Sequence, residues 1–446
     1  MKPIRPQMSN ILKTSFHLAT IAFFLKWLVI ASIVGALAGT ASAIFLASLS
    51  WATETRITYP FLLYFLPLAG VIVSYFYSYH GGNSGKGNNL IIEQIQGGKE
   101  TIPLRMAPLV LFGTIMTHLF GGSAGREGTA VQMGSSIAEF VGKKFNLSET
   151  DRKIILICGI SAGFGSVFGT PLAGTVFSLE VAFLGVVKYH ALLPAFIASF
   201  VGDYVTTAWG IGHSSYYVDY IPEMSIILIS KILLAAVLFG LAGMLFSKMA
   251  YWCKTWFATT FKNPMLRSFV GGTIVVTAVF LLGTRDYIGL SLPLIYESFE
   301  GEVTPLAFLY KIILTTITLG AGFQGGEVTP LFVIGSTMGN ALSGFLGLPA
   351  PFLAALGLIA VFAAATNTPI ASFIMGIELF GAEAGVYMFL ACTISYYVSG
   401  HTGIYSSQKV GVPKSHIFME HHGQNLLGIE KQEKEGDKSW KRYFSG

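Results

Sequence analysis

Two short segments place a glutamate at the start of an apolar helix. The first is Gly125-Arg126-Glu127-Gly128-Thr129 and the second is Gly325-Gly326-Glu327-Val328-Thr329-Pro330. Both lie in glycine-rich breaks between hydrophobic stretches. An ionisable group at membrane depth is costly and is read as a working part rather than as decoration. A carboxylate at such a place can do two things. Ionised, it can occupy a site built for an anion; protonated, it can leave that site and carry a proton with it. Desolvation favours the neutral form and a helix N-terminus favours the charged form, so titration within a working range follows from the setting.

The elements around these residues are those of a membrane protein. Of 446 residues, 53% are hydrophobic and 11% charged, with a mean hydropathy of +0.63. A spanning helix needs roughly 20 apolar residues. Long apolar runs occur near 19–50, 60–78, 225–250, 269–283 and 305–320. From 104 to 208 and from 329 to 400 the runs are shorter and broken by glycine and polar residues, as in tilted or interrupted helices that line a cavity. Strict alternation is missing, so the fold class is all-α and polytopic. The first run is too long for a cleavable signal. Positive charge gathers at the ends, with Lys2, Arg5, Lys13 and Lys26 at one and Lys409, Lys414, Lys431, Lys434, Lys438, Lys441 and Arg442 at the other. That pattern places both termini in the cytoplasm. No basic patch interleaved with aromatics suggests nucleic acid. Cys158, Cys253 and Cys392 fit neither a disulfide framework nor a zinc site, and nothing calls for a cofactor or metal.

The chain repeats itself. Gly169-Thr170-Pro171-Leu172-Ala173 leads to Glu180, and Asn367-Thr368-Pro369-Ile370-Ala371 leads to Glu378. Glu378 follows Glu180 by 198 positions and Glu327 follows Glu127 by 200. Two matches at nearly one offset indicate duplicated halves with inverted topology and a site between them. The expected organisation is a cytoplasmic segment 1–24, a first repeat 25–208, a polar linker 209–224, a second repeat 225–411 and a cytoplasmic tail 412–446 too short and polar to hold a regulatory domain. Thr170 and Thr368 are placed to cap helices whose first turns carry proline. Glu180 and Glu378 read as structural acids bonding backbone. Gly-Glu-Val-Thr-Pro-Leu also occurs at 301–306, where it reads as a surface helix start capped by Thr304.

Three glycine-rich breaks offer helix N-termini to an anion: 81–89 and the two glutamate motifs. Free backbone N–H groups there can replace an ion's water without a trapping charge. Arg126 either faces an aqueous mouth or snorkels to the interface. His118 reads as a bonded packing residue. Enzyme signatures such as HExxH or GxSxG are missing from the apolar segments, so catalysis is not expected.

The blocks at 125–129, 169–180 and 325–330 together resemble the CLC family of chloride channels and proton antiporters over about residues 25–410. The resemblance implies a CLC-type inverted repeat and a homodimer with one pore per subunit. It makes Glu127 the gate. The family's serine-bearing loop corresponds to Gly85-Lys86-Gly87-Asn88-Asn89, with Lys86 in an ungapped register and Asn88 with a small gap. Its Gly-Ile-Phe-Ala-Pro loop is replaced by Gly326-Glu327-Val328-Thr329-Pro330, its closing proline after Gly128 by Thr129, and its internal proton glutamate by Val181. A coordinating tyrosine corresponds to Tyr405. These departures resemble the bacterial CLC-F fluoride/proton antiporter branch, which favours Asn88 over Lys86. Through it the chain is expected in a bacterial inner membrane, exchanging fluoride for protons. A chloride/proton antiporter or an anion channel of the same fold is the alternative. Gly125, Arg126 and Gly128 would frame the gate. Asn88, Tyr405, Thr329 and backbone amides at Glu327 and Val328 would bind the hard, strongly hydrated anion. Lys86, counted among the anion-binding candidates, would face water or pair with a carboxylate. Glu327 would handle protons.

Overall fold

The computed structural model describes residues 6–213 and 216–434, with side chains over 17–213 and 216–432. The flanking charges Lys2, Arg5, Lys438, Lys441 and Arg442 lie outside the described residues. The first run of helices comprises α1 (Pro6–Thr58), α2 (Leu66–Phe76), α3 (Asn88–Ile95), α4 (Met106–Leu119), α5 (Glu127–Lys144), α6 (Glu149–Phe168), α7 (Pro171–Glu180) and α8 (Leu192–Ala208). The second comprises α9 (Ile226–Thr260), α10 (Pro264–Leu282), α11 (Leu292–Glu300), α12 (Ala307–Gly320), α13 (Val328–Leu346), α14 (Ala350–Thr366), α15 (Pro369–Phe380) and α16 (Gly385–Val398). A last helix, α17 (Leu426–Lys434), follows. Among the described residues five helical stretches are long and apolar enough to span a membrane, including His17–Thr58 and Ile226–Thr260. The others are shorter, and the apolar run near 305–320 forms only the 14 residues of α12. α1 runs unbroken through residues 24 and 25.

The duplication is visible in the packing. In the first half α5 lies against α6 so closely that a Cβ on Gly134 would stand 2.4 Å from the Gly159 carbonyl oxygen. In the second half α13 lies against α14 in the same way, with 2.2 Å from Gly335 to the Gly357 oxygen. Small residues let helix backbones approach where lipid supplies no hydrophobic drive. α6 and α14 also end alike, at Gly169 (φ 72°) and Asn367 (φ 58°), both left-handed.

The two halves then exchange caps. Glu378, in the last turn of α15, accepts from the amides of Leu172 (2.9 Å) and Ala173 (2.8 Å) at the start of α7. Glu180, the last residue of α7, accepts from the amide of Ala371 (2.9 Å) at the start of α15. Reciprocal bonds of this kind require α7 and α15 to run antiparallel. Each carboxylate sits at a positive helix end and satisfies amides that would otherwise be orphaned. Thr170 and Thr368 do occupy the N-cap positions, but neither side chain caps. Thr368 pairs instead with the Thr366 hydroxyl (2.6 Å). The expected Thr304 cap is likewise corrected. α12 begins at Ala307 with Leu306 as N-cap and no side-chain bond, and Thr304 contributes only its carbonyl to the turn.

The segment from 412, expected as a tail, is tied back to the helices, as is the stretch that precedes it. β2 (Lys409–Val410) pairs in parallel with β1 (Phe183–Leu184), which follows α7. Leu426 and Ile429 pack with Leu184, Tyr396 and Val410. Lys414 donates to the Tyr396 carbonyl (2.5 Å) and the Ser399 hydroxyl (3.0 Å), so this charge is bound rather than a loose topology signal.

Replacing Glu378 with Ala leaves two α7 amides unpaired, at a cost of about 1–3 kcal/mol. The apparent thermal midpoint of the detergent-purified protein should fall, and Glu378→Gln, which keeps one acceptor, should fall less. An unchanged midpoint in the Ala variant would contradict the reciprocal caps.

Candidate functional site

The two glutamate motifs meet face to face. The Gly125 amide donates to the Gly326 carbonyl (2.6 Å) and the Gly326 amide to the Gly125 carbonyl (2.8 Å), forming a two-residue antiparallel bridge between the halves. Gly325 enters this bridge at φ 155° with its α-carbon against Ala124, where a Cβ would stand 2.5 Å from the Ala124 methyl. Behind the bridge, His118 bonds the carbonyls of Thr114 (2.8 Å) and Ala124 (3.0 Å), so it fixes the turn and packs, as its sequence context suggests.

Glu127 is fully buried. Its Oε2 accepts from the amides of Thr329 (2.9 Å) and Arg126 (3.1 Å), and its Oε1 accepts from the Thr329 hydroxyl. The carboxylate of one half therefore sits on donors supplied by the first turn of α13 in the other. The backbone donor is Thr329's, one residue past the Glu327 and Val328 amides expected from the sequence. Arg126 Nε stands 3.7 Å from Glu127 Oε1 and makes no hydrogen bond.

Gly128 is where three helix starts converge. A Cβ on it would lie 2.9 Å from Asn88 Nδ2 at the start of α3, 3.2 Å from Gly326 Cα and 3.8 Å from Glu327 Oε2 at the start of α13. Asn88 Oδ1 is buried without a partner, as is Oε1 of Gln132. Gln132 is a residue the sequence did not single out; it lies on α5 beside Gly87. Glu327 is partly exposed, and the charges of Lys254 on α9 and of Glu127 act on it. Tyr405 is buried within electrostatic reach of both glutamates. Its loop is tied to the repeat ends. The Ile404 amide donates to Ala365 (2.9 Å), and Gln408 Nε2 to the carbonyls of Val181 (3.0 Å) and Thr366 (3.1 Å). Asn88, Tyr405, Thr329, Glu127 and Glu327 thus form one cluster.

Lys86 stands outside it. Its ammonium pairs with Glu100 (2.8 Å) and Glu93 (3.1 Å), and the side chain is 42% exposed. Glu93 also accepts from the Ser407 hydroxyl (2.8 Å), which links this face to the Tyr405 loop. Of the two residues left open, Asn88 is the one that lies beside Gly128, next to Glu127.

Aromatic rings wall the cluster. Phe164 stacks on Phe177 (4.5 Å between centroids) and Phe362 (6.0 Å), Phe332 meets Phe362 edge-on (5.3 Å), and Phe177 meets Tyr405 (6.4 Å). The signal for these rings was in the repeat: Phe362 follows Phe164 by the same 198 positions that separate Glu180 and Glu378. Among the described residues no group of three or more His, Cys, Asp or Glu could hold a metal ion.

The chain is similar to known proteins along most of its length. The family model described as voltage gated chloride channel matches residues 65–400. The chloride/fluoride channel protein of Pseudomonas syringae pv. tomato is 46% identical over 406 residues, 90% of each chain. The H+/Cl− exchange transporter of Vibrio parahaemolyticus is 26% identical over 79% of this chain and 81% of its own. Among solved structures, a CLC-type fluoride/proton antiporter superposes with a TM-score of 0.84 at 36% identity, covering 86% of this chain and 98% of that one. A slow cyanobacterial Cl−/H+ antiporter matches in fold, with a TM-score of 0.75 at 18% identity over 92% and 98%.

A methyl group at position 128 would force Asn88 and the Gly326 backbone apart. Gly128→Ala should lower ion flux in liposomes by about an order of magnitude while leaving the protein folded by size exclusion. Flux at the wild-type level would mean that the three helix starts need not meet.

Proposed function

The chain belongs to the voltage-gated chloride channel family, and we propose that within it this protein exports fluoride in exchange for protons. It is an integral membrane protein, all-α in fold. The halves 25–208 and 225–411 act as inverted repeats about the linker 209–224. The working unit is a homodimer with one pathway per subunit, set in a bacterial inner membrane with both termini cytoplasmic.

The observation that carries the proposal is the seat of Glu127. Its carboxylate takes one amide and one hydroxyl from Thr329 and an amide from Arg126, three donors an anion could use instead. Protonation removes the negative charge that holds the side chain there. The donors are then free for an anion, and the departing side chain carries the proton. One site thereby alternates between a bound carboxylate and a bound anion, which couples the two fluxes. Fluoride is small and tightly hydrated, so its site must offer strong donors. The Thr329 and Tyr405 hydroxyls, the Asn88 amide and the Thr329 N–H meet that demand. Glu327, at the start of the same helix as Thr329, passes protons between Glu127 and the face that carries Lys86. The likeness to a chloride/fluoride channel protein and to a fluoride/proton antiporter supports fluoride, and the likeness to an H+/Cl− exchange transporter supports the alternative.

Purified protein in liposomes loaded with fluoride or chloride, with internal pH recorded, tests the reading. Fluoride efflux with proton uptake and far slower chloride is the expected result. Chloride as fast as fluoride would return the protein to chloride/proton exchange, and fluoride efflux without proton movement would make it a channel. Glu127→Gln, which cannot titrate, should abolish proton uptake; uphill proton movement in that variant would refute the gate.

A further inference from the structure

On the far side of Glu127 from Lys86 lies a cavity of about 820 Å³. Its place in the fold follows from α1. Lys26, early in that helix, pairs with Asp151 at the start of α6 (2.7 Å), whereas Arg56 stands in the last turn. Thirty residues of helix separate them, roughly 45 Å at 1.5 Å per residue. Arg56, Arg126 and Arg285 all line the cavity, with Arg126 leading inward to Glu127.

Arg56 is built into the wall. Its Nη1 donates to the His118 carbonyl (2.9 Å). The guanidinium lies against Gly289 (φ 63°), where a Cβ would come within 2.4 Å of Nη1 and 2.8 Å of Nη2. The loop that carries Gly289 is stapled from behind by the fully buried Lys311. Its ammonium donates to the carbonyls of Tyr287 (3.2 Å) and Gly289 (2.9 Å) and to the Ser291 hydroxyl (2.9 Å). Arg285 is near enough to Arg56 for their charges to repel. Three carboxylates also line the cavity: Glu54, Asp286 and Glu297. Glu54 and Glu297 are exposed, and Asp286 takes the Thr284 hydroxyl. Among the described residues no carboxylate lies within 4.0 Å of Arg56 or Arg285.

We propose that Arg56 and Arg285 form a second anion site in this vestibule, one that takes a tetrahedral oxyanion such as sulfate or phosphate. Two guanidinium groups held near each other with no carboxylate within 4.0 Å gain most from a ligand with several oxygens, which can accept from both at once. A monatomic halide cannot bridge two forks in this way. The cavity is also far larger than a bare halide, which would keep its water there. An oxyanion so held stands in front of Arg126 and slows exchange at Glu127. The inference uses the assignment of Glu127 as gate only to say which process the bound oxyanion slows.

The test is sulfate binding to the purified full-length protein by titration calorimetry, with gluconate holding ionic strength constant. Anion flux with and without sulfate on both sides of the liposome membrane is measured in parallel. Wild type should bind sulfate saturably and slow down over the same concentrations. Arg285→Gln should bind at least about tenfold more weakly and keep its uninhibited flux, and Arg285→Lys should fall between. Equal sulfate binding by wild type and Arg285→Gln, or no saturable binding by wild type, would overturn the site. Because binding is read without a gradient, either result stands whichever halide the protein carries.

Discussion

The structure turns on the buried Glu127 carboxylate, two of whose three donors belong to the other half of the chain. Glu127 has no exposed surface, and Thr329, 202 positions away, supplies both an amide and a hydroxyl to it. A carboxylate taken out of water without such partners would be prohibitively costly. The two halves must therefore hold α5 and α13 end to end within hydrogen-bond tolerance. The Gly125–Gly326 bridge, the close glycine contacts of α5 with α6 and α13 with α14, and the exchanged caps of α7 and α15 all serve that requirement.

The same physical device appears twice with different consequences. Glu180 and Glu378 each take amides from a helix start in the opposite half and lock two helices together. Glu127 also takes an amide from a helix start in the opposite half, and its donor residues Thr329 and Arg126 border a small cavity shared with Phe332. In the proposed mechanism Glu127 is the carboxylate that leaves its donors, whereas Glu180 and Glu378 keep theirs and hold α7 to α15.

Much of this was legible in the chain. Composition and broken apolar runs identified a helical membrane protein, and the spacing of Glu180 with Glu378 and of Glu127 with Glu327 revealed two halves. The glycine breaks marked the three helix starts that meet at Gly128. The pairing of Glu180 and Glu378 with each other's helices was not legible, because it depends on the antiparallel approach of α7 and α15. For the same reason Thr170 and Thr368 were credited with capping that distant glutamates perform. Lys86 and Asn88 are two positions apart, and only the turn at Gly87 (φ 58°) separates a solvent-facing ammonium from an amide beside Gly128. The segment from 412 onward reads as polar tail because Leu184, which bonds the Val412 amide and packs with Leu426 and Ile429, is far away in sequence.

The central claim is that one set of donors serves the Glu127 carboxylate and the transported anion in turn. Fluoride binding to the purified protein, measured by calorimetry across a range of pH in buffers of different ionisation enthalpy, tests it most directly. If the anion displaces a protonated side chain, binding takes up protons and the affinity rises as pH falls, while in Glu127→Gln it is independent of pH. Fluoride binding to wild type with no proton uptake and no dependence on pH would contradict the account.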